Sequence, residues 1–304
     1  MEAVKERRKS TKRKEINNPS ISPFCDMLDF YQVGGNNMLS NFHTHTTFCD
    51  GKNSAEEIVL YAIDKGFDCI GFSGHGYTPF DLTYCMKDID GYIKEIKRLK
   101  EKYKAKIQIY LGLEEDAFSL CNRGDFEYII GSSHYFCVNG EYYPVDSDYE
   151  CLKKCIKAFD DDILKLAGSY YSAFVKYILD RKPDIVGHFD LITKFDEIGE
   201  QVFLNNQDYL KLSEKYIQEA LKSDALFEVN TGAIARGFRK TPYPYENLLN
   251  IINKSGGKII LSSDCHEAKN LDFHFEEARK YLYDIGFRNV YVLHDNTFKK
   301  EILL

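Results

Sequence analysis

No stretch of the 304-residue chain approaches the roughly 18 consecutive apolar residues that a membrane span requires. Basic residues open the N-terminus, but no apolar segment follows them to make a secretion signal. The nine cysteines are odd in number, scattered, and never spaced CxxC, which fits a reducing compartment better than a disulfide framework. These absences lead us to expect a cytoplasmic protein with no membrane partner. Positive charge is also short: 40 Lys and Arg against 47 Asp and Glu leave a formal net charge of −7. That balance argues against an extended nucleic-acid surface, while one local basic pocket could still hold a phosphate. No Pro/Ser-rich linker and no repeat of fixed period divide the chain, so one domain is expected. Nothing in the pattern specifies an oligomeric state.

The charge is uneven. Residues 1–37 carry seven Lys or Arg against five acids and lack hydrophobic periodicity over the first twenty positions, so they read as a basic, flexible arm. From Met38 onward, short apolar runs alternate with segments of helical spacing. The runs are "MLSNFHTH", "CIGFSGH", "IQIYLGLEE", "FEYIIGSSH", "DIVGHFD", "LFEVNTG", "KIILSSDCH" and "NVYVLHD". Strand, helix, strand, repeated seven or eight times, implies parallel strands joined by helical crossovers. Helix punctuation agrees: Ser54 is followed three residues later by Glu57, and Gly66, Gly256 and Gly286 stand near helix ends. Residues 137–183 form the longest insertion and are expected to add one or two helices.

The chain has only eight histidines, and six of them end successive apolar runs. His43 and His45 end the first, one residue apart and so on one face of a strand. His75 ends the second, Glu114 the third, His134 the fourth, His188 the fifth, and Asp264 with His266 the seventh. In an α/β barrel the C-terminal strand ends converge on the axis and carry the active site. A lone strand-end histidine is more often a hydrogen-bonded core residue than a ligand. Six in series, with carboxylates, point instead to zinc, iron or manganese, whose usual ligands are imidazole and carboxylate.

The ordered set "HTHTTFCDG", "GFSGHG", Glu114, "GSSHYF", "VGHFD" and "SSDCHE" resembles the motifs of the PHP (polymerase and histidinol phosphatase) superfamily across about residues 39–290. Within it, "FEVNTGAI" and "TPYP" before "IILSSDCH" are most similar to the stand-alone histidinol-phosphate phosphatases. The resemblance implies an α/β fold, a distorted (β/α)7 TIM-like barrel over residues 38–304, holding two or three divalent metal ions. It implies His43, His45, Glu114 and Asp264 around one ion, Asp50, His75 and His266 around a second, and Glu114, His134 and His188 around a third. Glu114 would then be shared.

Phosphate-ester hydrolysis suits such a site. Metal ions make hydroxide available near neutral pH and neutralise charge on phosphoryl oxygens, so no serine or cysteine nucleophile is needed. His266 or Asp50 could protonate the departing alkoxide. "NTGAIARGFRK" offers Arg236, then Arg239 and Lys240, as phosphate contacts, Arg236 first for its planar fork. Ser132 and Ser133 could orient ligands or substrate, and Cys49 and Cys265 should point away. The expected substrate is a small phosphorylated molecule, L-histidinol phosphate, its cationic part facing Asp190, Glu115 or Asp116. The alternatives are a PHP phosphoesterase for nucleotides, oligonucleotide ends or phosphotyrosine, an amidohydrolase, and a metal-binding module without catalysis.

Overall fold

The computed structural model describes residues 38–304. The expected arm over 1–37 lies outside the described residues. The elements run β1 (Ser40–Asn41), α1 (Ala55–Asp64), β2 (Cys69–Phe72), α2 (Ile89–Tyr103), β3 (Gln108–Asp116), β4 (Tyr128–Ser132), β5 (Tyr135–Val138) and β6 (Glu141–Pro144). They continue with α3 (Tyr149–Ala158), α4 (Ile163–Arg181), β7 (Ile185–Val186), α5 (Gln207–Ala220), β8 (Leu226–Asn230), α6 (Gly232–Ala235), α7 (Glu246–Lys254), β9 (Ile259–Ser262), α8 (Phe275–Ile285), β10 (Asn289–His294) and β11 (Thr297–Ile302).

Seven strands pair in the order β1-β2-β3-β4-β7-β8-β9, every pairing parallel. The circle closes where His45 N donates to Cys265 O at 2.8 Å and Cys265 N to His43 O at 2.9 Å. The expected seven-stranded barrel is therefore present, its first seven apolar runs supplying its strands. "NVYVLHD" falls outside it: β10 pairs antiparallel with β11 and closes the bottom, where Val292 and Leu293 pack on Cys69, Leu226 and Ile260. The insertion yields α3 and α4 as expected, and also the β5–β6 hairpin, which its weak alternation concealed.

Helix signals acted locally as their chemistry requires. Ser54 accepts from Glu57 N while the Glu57 carboxylate takes Ser54 N, a reciprocal cap that starts α1. Gly66, Gly256 and Gly286 take positive φ just past α1, α7 and α8.

Side-chain parity along the strands decides what the barrel encloses. On β3, Ile109, Leu111 and Leu113 face the outer helices, while Tyr110, Gly112 and Glu114 face inward. On β8 the inward set is Leu226, Glu228 and Asn230, and on β9 it continues as Ile260, Ser262 and then Asp264 beyond the strand. The interior thus grades from an apolar floor (Phe42, Tyr110, Tyr128, Ile130, Ile185, Leu226, Ile260) to a polar rim. Tyr128 joins the two layers: its ring lies against Gly71 and Gly112, and its hydroxyl donates to Phe42 O at 2.6 Å.

A methyl group on Gly112 would fall within the Tyr128 ring, with strands on both sides that cannot retreat. Gly112→Ala should cost about 1–3 kcal/mol by overpacking, read as a lower urea midpoint at unchanged m-value.

Candidate metal centre

Glu114 reaches the barrel axis from the rim end of β3, fully buried, and its two oxygens face different neighbours. Oε2 lies 3.2 Å from His43 Nε2, 3.5 Å from His45 Nε2 and 2.9 Å from His75 Nδ1. Oε1 lies 3.4 Å from His134 Nε2 and 3.1 Å from His188 Nε2, and accepts from Ser132 Oγ at 2.6 Å. On the far side of the first pair, Asp264 Oδ1 is 3.7 Å from His43 Nε2 and 3.2 Å from His45 Nε2. Asp50 completes the outer edge, 3.2 Å from His266 Nε2 and 3.7 Å from His75 Nε2. All nine residues expected as ligands are thus brought together.

The ligand atoms fall into overlapping groups small enough for single ions: His43, His45, Asp264; His45, Asp50, His75, His266; His43, Glu114, His188; and His75, Glu114, His134. The grouping differs in part from the expected one: Asp50, His75 and His266 stay together and gain His45, whereas His134 and His188 fall in separate groups that share Glu114, and His43, His45 and His75 each belong to two groups. A direct test of fit is hydrogen bonding. His43 Nε2, His45 Nε2 and Glu114 Oε2 are buried, point at one another, and have no hydrogen-bond partner. Each such orphan costs about 1–3 kcal/mol in a dry interior, and a cation among them satisfies all three at once.

Supporting contacts fix how the imidazoles point. Glu228 Oε1 sits 2.5 Å from His43 Nδ1, so that nitrogen carries a proton and Nε2 is the one that faces the centre. Glu228 also accepts from His188 N at 2.7 Å and from the Ser262 hydroxyl. Asp116 does the same for His134, taking its backbone N at 2.8 Å and facing Nδ1 at 3.2 Å. Protonation follows these surroundings. Burial, then the neighbouring His266 and His75, push His45 down to about 3, leaving it neutral and able to ligate. Burial also pulls down on His43, but Glu228, Glu114 and Asp264 outweigh it and hold it well above the usual range. Burial raises Glu114, yet His43, His75 and His134 overturn that and keep it ionised.

The cluster floors a cavity of about 310 Å³ whose wall includes Asp81, Tyr84, Tyr135, Asp146, Lys194 and Arg236. Arg236 donates to Asp264 Oδ2 at 2.9 Å and lies 3.1 Å from His266 Nδ1, beside the ligands as expected of a phosphate contact. A larger cavity, about 590 Å³, opens at the other end of the barrel between Lys182, Asp224, Lys258 and Phe298, and contains none of the clustered groups.

Several sequence expectations need correction. Arg239, expected at the phosphate, is 3% exposed, stacked on Tyr243 and Tyr245, and bonded to Thr193 and Pro242. It does not line the cavity. Ser133 is buried too, its hydroxyl donating to Tyr135 O at 3.3 Å; Ser132, one residue earlier, has the parity that faces Glu114. The acids expected at the mouth are engaged elsewhere: Glu115 faces α4 and is held by Arg181 and Tyr177, Asp190 accepts from Tyr245 N, and Asp116 from His134 N. Cys265 points away, but Cys49 Sγ approaches His45 Nδ1 at 3.5 Å, because it sits in a turn where strand alternation does not apply. Glu228 was missed although its signal was legible, an acid in the middle of the apolar run "LFEVN". Asp146 and Lys194, distant in sequence, carried no such signal.

Comparison with known proteins agrees with this geometry. A Schizosaccharomyces pombe protein named probable histidinol-phosphatase is 28% identical over 273 residues, spanning 82% of this chain and 87% of its own. The Bacillus subtilis histidinol-phosphatase is 24% identical over 259 residues, 77% of this chain and 96% of the relative. The crystal structure of histidinol phosphate phosphatase from Lactococcus lactis subsp. lactis, complexed with zinc, L-histidinol and phosphate, superposes with a TM-score of 0.64 at 20% identity. That match covers 86% of this chain and 98% of the other, and shows a shared fold. The PHP domain model matches residues 41–232, which include every rim motif except Asp264 and His266. With that span exceeding half of its length, the chain belongs to the PHP domain family.

Proposed function

We propose that this protein is a metal-dependent phosphomonoesterase that hydrolyses L-histidinol phosphate to L-histidinol and phosphate, a cytoplasmic step of histidine biosynthesis. The observation that carries the reading is the clustering of six imidazoles and three carboxylates, Glu114 among them, at one end of the barrel, in a chain whose relatives are named histidinol-phosphatases. The eight cysteines among the described residues are free thiols, which supports the compartment. The cavity, about 310 Å³, has room for a small ester.

His43, His45, Asp264 and Glu114 would hold one ion, Asp50, His75 and His266 a second, and Glu114, His134 and His188 a third. Such ions, when bound, activate water and neutralise the charge that gathers on phosphoryl oxygens. The protein's own part is placement. Glu228 and Asp116 fix the tautomers of His43 and His134, so the cluster needs no reorganisation when substrate arrives. Arg236, braced on Asp264, presents its guanidinium beside the ligands to grip phosphate oxygens. Asp50 and His266, 3.2 Å apart, are the most exposed members of the cluster, with side chains 32% and 22% accessible. Either would supply the proton that the departing alcohol takes up as the P–O bond breaks and water's oxygen joins phosphorus.

Phosphate release measured on L-histidinol phosphate, nucleotides and phosphotyrosine should be fastest with the first; no release from it would overturn the reading. Elemental analysis should find two or three transition-metal ions per chain. Glu114→Gln should lower that content and reduce kcat by about 100-fold or more. Arg236→Ala should act mainly on KM, with a total loss in kcat/KM of about 2–4 kcal/mol. We further propose residues 38–304 as the complete catalytic unit. A chain beginning at Met38 should retain both turnover and cooperative unfolding.

A further inference from the structure

One carboxylate on the cavity wall has no part in the proposed chemistry. Four acids line the cavity: Asp50, Asp81, Asp146 and Asp264. Asp50 and Asp264 belong to the cluster. Asp81 commits both oxygens to its surroundings, Oδ1 accepting from Thr83 N and Oγ1 at 2.9 and 2.6 Å, Oδ2 from the Tyr135 hydroxyl at 2.8 Å. Asp146, between β6 and α3, differs. Its Oδ2 accepts from Lys194 Nζ at 3.1 Å and its carbonyl takes the same ammonium at 2.6 Å. Among the described residues, Oδ1 accepts no hydrogen bond, and a quarter of the side chain is accessible.

Lys194 explains why this carboxylate stays in place and ionised. Its side chain is 9% exposed and its ammonium lies 5.4 Å over the Phe195 ring and 5.2 Å over the Phe238 ring. So enclosed, and donating twice to Asp146, it is a positioning residue for that carboxylate. Burial raises the Asp146 carboxyl, but Lys194 and His134 outweigh burial and keep it below the usual carboxylate range.

Asp146 thus offers a fixed carboxylate oxygen with a spare acceptor position in the cavity that would take the ester. It favours an ester whose organic part carries a cation. Building on the phosphomonoesterase reading above, we propose that Asp146, held by Lys194, receives the ammonium group of the substrate. The enzyme thereby selects phosphate monoesters of amino alcohols over those of neutral or acidic alcohols.

The test compares kcat/KM for L-histidinol phosphate and for 3-(imidazol-4-yl)propyl phosphate, the same ester without its amino group, in full-length wild type, Asp146→Asn and Asp146→Glu. Metal content is measured for each. Wild type should prefer the amino ester, and Asp146→Asn should reduce that preference by about 10- to 100-fold, the scale of one hydrogen bond to a charged group. Asp146→Glu, which keeps the charge, should retain more of the preference than Asn. Equal losses on both esters, or a drop in metal content, would mean that Asp146 acts through His134 and His188, and would overturn the assignment. A wild type that cleaves both esters equally overturns cation selection but leaves the phosphatase reading standing. If wild type cleaves neither, both readings fall.

Discussion

Glu114 is the group on which the arrangement turns. A fully buried carboxylate with one oxygen facing His43 and His45 and the other facing His134 and His188 has no role in an apolar core. Its neighbours cannot relieve one another, because imidazole lone pairs and carboxylate oxygens are all acceptors until protons or cations enter. The pattern of orphaned nitrogens around it is what a site built for cations leaves when only the polypeptide is considered.

The barrel is the means of bringing that set together. Parallel pairing points every strand the same way, so the last inward residue of each strand arrives at the same end. Below that rim the inward positions are filled by Tyr128, Tyr110 and the aliphatic floor, with Gly71 and Gly112 making room for the Tyr128 ring. Between floor and rim lies a layer of carboxylate and hydroxyl groups, Glu228 and Ser262 among them, that aims His43 and His188. The gradient from apolar to polar along each strand lets one fold bury a core and present charge within a few residues of it.

The connections supply what the strands cannot. The loop after β2 sets Tyr84 edge-on to His75 at 4.7 Å between ring centres, and Asp81 ties that loop to Tyr135 at the start of the hairpin. Phe80 stacks on Tyr142 at 3.8 Å, fastening the two segments along the cavity mouth. Arg236 follows β8 and Asp146 follows the hairpin, so a cation and an anion from opposite halves of the chain line the same cavity. The clustered ligand candidates thus sit at or next to strand ends and the remaining cavity wall comes from the connections, the usual division between a rigid scaffold and its loops.

Local sequence chemistry determined the elements. Short, nearly continuous apolar runs marked seven barrel strands, six of them closing on a histidine or acid, because a strand buried on both faces needs apolar residues throughout and can change character only at its end. The same runs exposed eight of the nine clustered residues, since their types are rare and their positions recur, and the resemblance to the PHP motifs added Asp50. Tertiary structure alone decided the rest. Whether an exposed-looking arginine faces the cavity or stacks beneath it, as Arg236 and Arg239 divide, depends on one turn of α6 and on Tyr243 and Tyr245 arriving from further along the chain. Ser132 and Ser133 divide by parity at the strand end, and only the register of β4 against β3 tells which faces Glu114. The Asp146–Lys194 pair spans 48 residues and exists because the hairpin and the segment after β7 meet at the rim. Neither residue announces a partner, for the strength of an ion pair depends on its burial and geometry, which are properties of the folded chain.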